Sequence, residues 1–232
     1  MHQMEIIYIN SFEEFNNKFN QFEPDTRYFF RGVKKEAFKL IPTIGRIDLD
    51  FASYFDEITI FKIFKNQALP FLPHRPINDW EWLAIAQHHG LPTRLLDWTS
   101  NPLIALYFAT ESDLDDIESD NFAVYILIKK EGIIYDIPNH SPFDTKKVNL
   151  ISIPHVTNRI KNQFGYFTIQ EDPKVELNEL LKQNRVRKVI FPNHLKKDFR
   201  RKLNTYGINA SSIFPDVDGI AKHLRNTLVD DF

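Results

Sequence analysis

The sequence predicts an α+β fold: a single domain over 1–232, with N-terminal helices followed by a mixed or antiparallel β core. Three observations carry this. Apolar residues in the first half recur at helical spacing, while those after residue 121 gather in short β-branched and aromatic runs. No repeat and no Gly/Ser/Pro-rich linker divides the chain. At 232 residues and 43% apolar, it is long enough and hydrophobic enough to bury a core of its own.

The elements follow in order. Ser11 to Phe22 sets Phe12, Phe15, Phe19 and Phe22 at helical spacing, with Ser11 as N-cap and Glu14 three residues on, and Pro24-Asp25 ends it. Tyr28 to Gly32 is β-prone and stops at a glycine. Tyr54 to Ala68 is the next helix, with Ile58, Phe61 and Phe64 or Lys65 on one stripe. Asn78 or Asp79 caps a helix from Trp80 to His88 or His89, with Gly90 suited to its C′ position. Asn101-Pro102 pairs a cap with a proline at the first helical position, and Leu103 to Thr110 is apolar all round, as a buried helix is. An acidic loop covers Glu111 to Asp120. Strands are expected at Phe122–Lys129, Ile133–Asp136, Asn149–Ile153, Tyr166–Ile169 and Val186–Phe191, and helices near Lys196–Thr205 and Ile220–Leu228, with Asp218 as N-cap of the last.

Composition closes several functional classes. Without cysteine there is neither a disulfide framework nor a thiolate zinc site. Glycine is scarce, with seven residues, and neither GxGxxG nor GxxxxGK[ST] occurs. A net charge of −2 gives no global field for nucleic acid or an anionic membrane. The N-terminus lacks the pattern of a signal peptide, and no run approaches the ~20 apolar residues of a membrane span, so a soluble cytoplasmic protein without a membrane partner is expected. The 21 phenylalanines point to an aromatic core more than to a base-stacking surface.

No metal is expected. The histidines show no HExxH spacing, and His88 and His89, adjacent on a helix, point roughly 100° apart. No GxSxG elbow supports a serine nucleophile, so Thr99 and Ser100, before a buried helix, read either as caps or as pocket hydroxyls. The densest polar stretch is Gln87 to Ser100, where two histidines, Arg94, Asp97 and Trp98 lie between apolar anchors. It reads as a site, or as an Arg94–Asp97 structural pair. Lys196, Lys197, Arg200, Arg201 and Lys202 read as a solvated helix face or a phosphate-contacting patch.

Phe30-Arg31-Gly32, then Ala86-Gln-His-His-Gly-Leu-Pro-Thr-Arg-Leu-Leu-Asp-Trp-Thr99, strongly resembles the bacterial FRG-domain family. The likeness continues through Pro102 and Ala105–Ala109, Arg159 and Asn162–Phe167, to Gly207-Ile208 and Ile213–Gly219, from about residue 25 to 224. A weaker resemblance is to the ADP-ribosyltransferase fold, on three pieces in the same order: Tyr28–Gly32, Trp98-Thr99-Ser100 with Ala105–Ala109, and Asn162–Phe167. This second resemblance implies NAD as substrate and an ADP-ribosyltransferase-like fold. It also implies a toxin or phage-defence role with an unknown protein or nucleic-acid acceptor. The catalytic candidates would be Arg31, Thr99, Ser100 and Gln163, and the cofactor-binding candidates Arg31, Gly32, His89, Arg94, Trp98 and Tyr107.

The chemistry fits those residue types. Arginines hold a pyrophosphate bidentately, hydroxyls bond a ribose, and aromatics stack on nicotinamide. Cleaving the N-glycosidic bond builds positive charge that a carboxylate stabilises, yet Gln163 stands where the transferase pattern has Glu. Glu171, eight residues on, would be roughly 26 Å away along a strand. Glu81, Asp97 and Asp216 are therefore the candidate carboxylates. The alternative is a non-catalytic module that binds a nucleotide or nucleic acid. Oligomeric state is not encoded in these patterns.

Overall fold

The computed structural model describes residues 4–19, 22–23, 25–47, 56–111, 120–129, 133–134, 137, 139–154, 158–181 and 185–230. Among them, one eight-stranded sheet organises the chain. In chain order the elements are β1 (Glu5–Tyr8), α1 (Phe12–Phe19), β2 (Arg27–Val33), α2 (Glu57–Ala68), α3 (Asp79–His88), β3 (Leu96–Thr99), α4 (Pro102–Thr110), β4 (Phe122–Lys129) and β5 (Ile133–Ile134). They continue with β6 (Asn149–Ile151), α5 (Asn158–Asn162), β7 (Gly165–Ile169), α6 (Leu177–Leu180), β8 (Val186–Phe191), α7 (Lys196–Thr205), α8 (Ala210–Ile213) and α9 (Val217–Asp230). The strand order is β1-β8-β4-β2-β3-β7-β6-β5. Only β1–β8 and β5–β6 run parallel, so the sheet is mixed and mostly antiparallel.

The α+β class is what the sequence leads one to expect, but the order of elements differs. β1, β2 and β3 all precede residue 100 and interleave with the helices. β1 and β3 are each four residues long, too short for alternation to announce them. They become strands by pairing with β8 and β7. The acidic loop at 112–119, residues 54–55 of the second predicted helix and 135–136 of the second predicted strand lie outside the described residues.

Local signals place most helix starts. Asn78 accepts the Glu81 amide at 2.9 Å, and Asn101 accepts that of Leu103 at 2.9 Å ahead of Pro102. Ser11 caps α1 by accepting the Glu14 amide at 3.0 Å, while the Glu14 carboxylate reaches back to the Asn10 amide. At α9 the cap is Asp216, which accepts the Gly219 amide at 2.7 Å, so Asp218 lies inside the helix rather than before it. Gly90 takes φ +88°, and Leu91 N–H returns to Ala86 O at 2.9 Å to close α3.

Side chains of β4 alternate to two faces. Phe122, Val124 and Ile126 join α1, α4, α7 and α8 in an aromatic core that includes Phe12, Phe15, Phe191 and Phe199. Tyr125 and Leu127 pack on the other face with Phe29, Val33, Trp98 and Leu177. A third cluster seats α2 and α3 on Phe167 and Ile169 of β7. This is the aromatic core that the phenylalanine content suggests.

Candidate functional site

The sheet is nearly split in two. β2 pairs with β4 along its whole length, Arg27 to Val33, and β3 pairs with β7 along Leu96 to Thr99. Between β2 and β3, however, the only registered pair is Phe30–Thr99. Beyond it the strands diverge, so the β3-side edge of Arg31, Gly32 and Val33 has no ladder partner. A cavity of about 360 Å³ occupies this wedge. Its walls come from β2, β3 and β7, from Ala84, Gln87 and His88 of α3, from Ala105 and Phe108 of α4, and from Arg159 and Gln163 around α5.

Arg31 spans the opening. Its Nη1 donates to the main-chain oxygen of Asp97 at 2.9 Å and lies 3.5 Å from the Asp97 carboxylate. Asp97 is in turn held by Gln87, whose Nε2 donates to Oδ1 at 2.5 Å and whose Oε1 accepts from the Thr93 hydroxyl. A Thr93–Gln87–Asp97–Arg31 chain therefore fixes the arginine. Burial pulls the affinity of Arg31 for its proton below the usual arginine value, and Asp97 opposes that. The Nε of Arg31 is buried without a hydrogen-bond partner.

At the opposite wall, α5 ends in a tight turn. Gln163 N–H returns to Arg159 O at 2.9 Å, and Phe164 takes φ 49° before β7 begins. A left-handed phenylalanine is sterically costly; here it swings the chain so that Gln163 lines the cavity while Phe164 stays exposed. The C-terminal segment supports this end. Arg159 lies over the Phe214 ring at 4.5 Å, and Asn162 donates to Ser212 O at 2.9 Å. The Gln163 Nε2 and the His88 Nδ1 are both buried and unpartnered. Burial, followed by the charge of Arg159, pushes the His88 pKa down to about 4, so the ring is neutral near pH 7.

Of the residues singled out by sequence, Arg31, Gly32, Trp98, Thr99 and Gln163 line this one cavity. Two of them have structural work as well. Thr99 Oγ1 accepts from Asn101 N–H at 3.0 Å at the start of α4. A Cβ on Gly32 would meet Ala105 O at 1.8 Å, so the glycine lets α4 lie directly on β2.

The others lie elsewhere. Arg94 is forked onto Glu57, with Nε 3.0 and 3.1 Å from its two oxygens and Nη2 2.6 Å from Oε2, and it stacks over Phe143. The Arg94–Asp97 pair considered from sequence does not form. Tyr107 belongs to the aromatic core beside Phe108 and Phe214, and burial raises its pKa. His89 and Ser100 are exposed and outside the lining.

Among the candidate carboxylates, Asp97 lines the cavity, as does Glu111, which sequence reasoning did not single out and which is ion-paired to Lys222. Glu81 accepts from Ile77 N–H, Asp216 caps α9 and Glu171 pairs with Lys146; none of the three lines it. Arg46 also lines the cavity and carries no sequence signal, while Gln87 and His88 belong to the dense polar stretch and Arg159 and Tyr166 to the family-like blocks, without a role assigned to any of the four from sequence. For α3 the signal was present: Ala84, Gln87 and His88 stand at i, i+3 and i+4 and share one helix face, which His89 leaves.

Among the described residues, no three His, Cys, Asp or Glu side chains gather as metal ligands, and no helix is long and apolar enough to cross a membrane. Two basic residues of the α7 cluster are engaged locally: Lys202 pairs with Asp198 at 2.9 Å, and Lys196 is buried near the Phe122 ring.

No curated protein and no solved structure matches the chain. The family model of the FRG domain does match, over residues 26–118, a stretch from the start of β2 past the end of α4 that contains Arg31, Gly32, Trp98 and Thr99 but not Gln163. Over that stretch the chain is similar to the FRG domain.

Proposed function

We propose that the wedge between β2 and β3 binds NAD and that the chain is an ADP-ribosyltransferase-like enzyme. One observation carries the reading: three buried nitrogens without partners, on Arg31, His88 and Gln163, belong to side chains that line a single cavity. An unmet buried polar group costs about 1–3 kcal/mol, so this arrangement is built for a polar ligand, with acceptor oxygens for the Arg31 and Gln163 donors. NAD supplies phosphate, ribose and carboxamide oxygens. The cavity volume, about 360 Å³, lies at the small end for ligand sites and suits one nucleotide half of the molecule.

In this reading Arg31 holds phosphate or ribose, Gln163 orients a ribose hydroxyl or the acceptor, and Tyr166 and Trp98 flank the nicotinamide. Asp97 or Glu111 supplies the negative charge that Gln163 lacks. The bond from ribose C1′ to the nicotinamide nitrogen breaks, and its electron pair leaves with nicotinamide. A lone pair of the acceptor forms the new bond to C1′, and the acceptor's proton passes to solvent or to a cavity carboxylate. The acceptor is a protein, a nucleic acid or, in its absence, water.

The test is nicotinamide release from NAD by the purified chain. Release that falls at least tenfold in Arg31→Ala and Arg31→Lys supports the reading, whereas neither release nor NAD binding overturns it. The neutral amide of Gln163 favours a second reading, a nucleotide- or nucleic-acid-binding module without catalysis, which NAD binding without nicotinamide release would select. A toxin or phage-defence role predicts growth arrest on expression, relieved by Arg31→Ala.

A further inference from the structure

Resting on the reading of the wedge as a nucleotide site, we propose that Arg46 joins Arg31 to form its anion subsite, which takes a phosphate or diphosphate group. Arg46 ends a 3-10 turn, Thr43–Arg46, and lines the same cavity. Its guanidinium is aimed before any ligand arrives: Nε donates to Ile41 O at 2.8 Å and Nη2 to Lys39 O at 3.4 Å. A free arginine loses about 2 kcal/mol of rotamer entropy when a ligand fixes it, and these carbonyls have removed much of that cost in advance.

The turn itself is anchored. Ile44 N–H donates to Thr93 O at 3.3 Å, which ties it to the segment carrying Gln87 and Asp97. A Cβ on Gly45 would lie 1.9 Å from Pro173 O, so the turn packs closely against that residue as well.

Charge around the pair is unbalanced. Among the described residues, Arg46 pairs with no carboxylate, and Arg31 has only Asp97, which is shared with Gln87. Asp97 occupies the Nη1 of Arg31 and leaves its Nε unpartnered. Arg46 also sits close enough to lower the proton affinity of Arg31, after burial and against the pull of Asp97. Two guanidinium groups thus line one cavity whose two carboxylates are already engaged, Asp97 by Arg31 and Glu111 by Lys222. A sugar or an aromatic ring would leave that excess positive charge uncompensated. A phosphate oxygen cluster satisfies both arginines through charge-assisted hydrogen bonds.

Calorimetric titration with inorganic pyrophosphate, ADP-ribose and nicotinamide tests this. Wild-type chain is expected to bind pyrophosphate and ADP-ribose with affinity that falls steeply as salt rises. Arg46→Ala is expected to lose about tenfold or more for both, the size of one charge-assisted hydrogen bond, while nicotinamide affinity is unchanged. Arg46→Gln keeps a donor for the carbonyls and should lose as much, which decides the matter if the alanine variant is poorly folded. Pyrophosphate and ADP-ribose affinities equal to wild type in both variants would overturn the subsite, as would a wild type that binds neither probe. Pyrophosphate binding that depends on Arg46, without any binding of ADP-ribose or NAD, keeps the subsite and removes the NAD reading.

Discussion

Replacing Glu57 by alanine tests the assignment of Arg94 as a structural cation rather than a ligand contact. The guanidinium makes three contacts of 2.6–3.1 Å to the Glu57 carboxylate, and the two side chains keep only 10% and 12% of their exposure. Removing one member of a buried pair strands the other, which typically costs about 3–5 kcal/mol. The residual exposure and the Phe143 ring 5.0 Å from the guanidinium carbon soften that, so about 3 kcal/mol is expected. For a chain of 232 residues, each kcal/mol moves Tm by about 2–4 °C, giving a fall of about 6–12 °C. Urea and thermal melts followed by circular dichroism read both quantities. The double variant Glu57→Met, Arg94→Met removes both charges and should lose less than Glu57→Ala alone, because no charge is left without a partner. Because Arg94 does not line the cavity, Arg94→Met should leave NAD affinity intact. A Glu57→Ala cost below about 1 kcal/mol, or single and double variants that simply add, would refute the account.

Gly32→Ala forces a Cβ to within 1.8 Å of Ala105 O and 2.6 Å of Ala109 N, so β2 and α4 must part; a loss of about 1–3 kcal/mol in urea melts is expected, and wild-type stability would mean that α4 does not sit on β2. His88 titrates near 4 when folded against 6.5 in an open chain, so the unfolded state binds the extra proton between those values and stability falls as pH drops from about 6.5 to 4. With solvent screening allowed for, that contribution is about 1–2 kcal/mol, and a His88→Asn chain whose stability falls just as steeply over this window would remove it. On the proposed NAD reading, Gln163→Glu adds the charge that an oxocarbenium-like transition state calls for and should raise nicotinamide release by about tenfold or more; an unchanged rate would assign that role to Asp97 or Glu111.

Elements defined by a short-range signal were legible in the sequence. Asn78, Asn101 and Gly90 act within four residues of where they stand, and α3, α4 and α7 fall where the sequence puts them. What decided the site was long-range. β3 is four residues whose identity as a strand comes from β7, some seventy positions later. The cavity exists because β2 and β3 share one registered pair and no more, and an absent pairing leaves no trace in local composition.

The polar density of residues 87–100 was legible as well, but its meaning changes with the geometry. From sequence the stretch reads as a site or as an Arg94–Asp97 structural pair. In the fold, Thr93, Gln87 and Asp97 spend their hydrogen bonds on one another and on Arg31, Arg94 turns away to Glu57, and Thr93 O holds the turn that carries Arg46. The segment therefore acts chiefly as a scaffold for two arginines contributed by an earlier part of the chain. Such second-layer networks need polar residues as densely as a binding surface does, because each buried donor must find an acceptor. Polar density alone does not separate the two roles. What separates them is which polar atoms remain unpaired, and among the residues that line the cavity those belong to Arg31, His88 and Gln163.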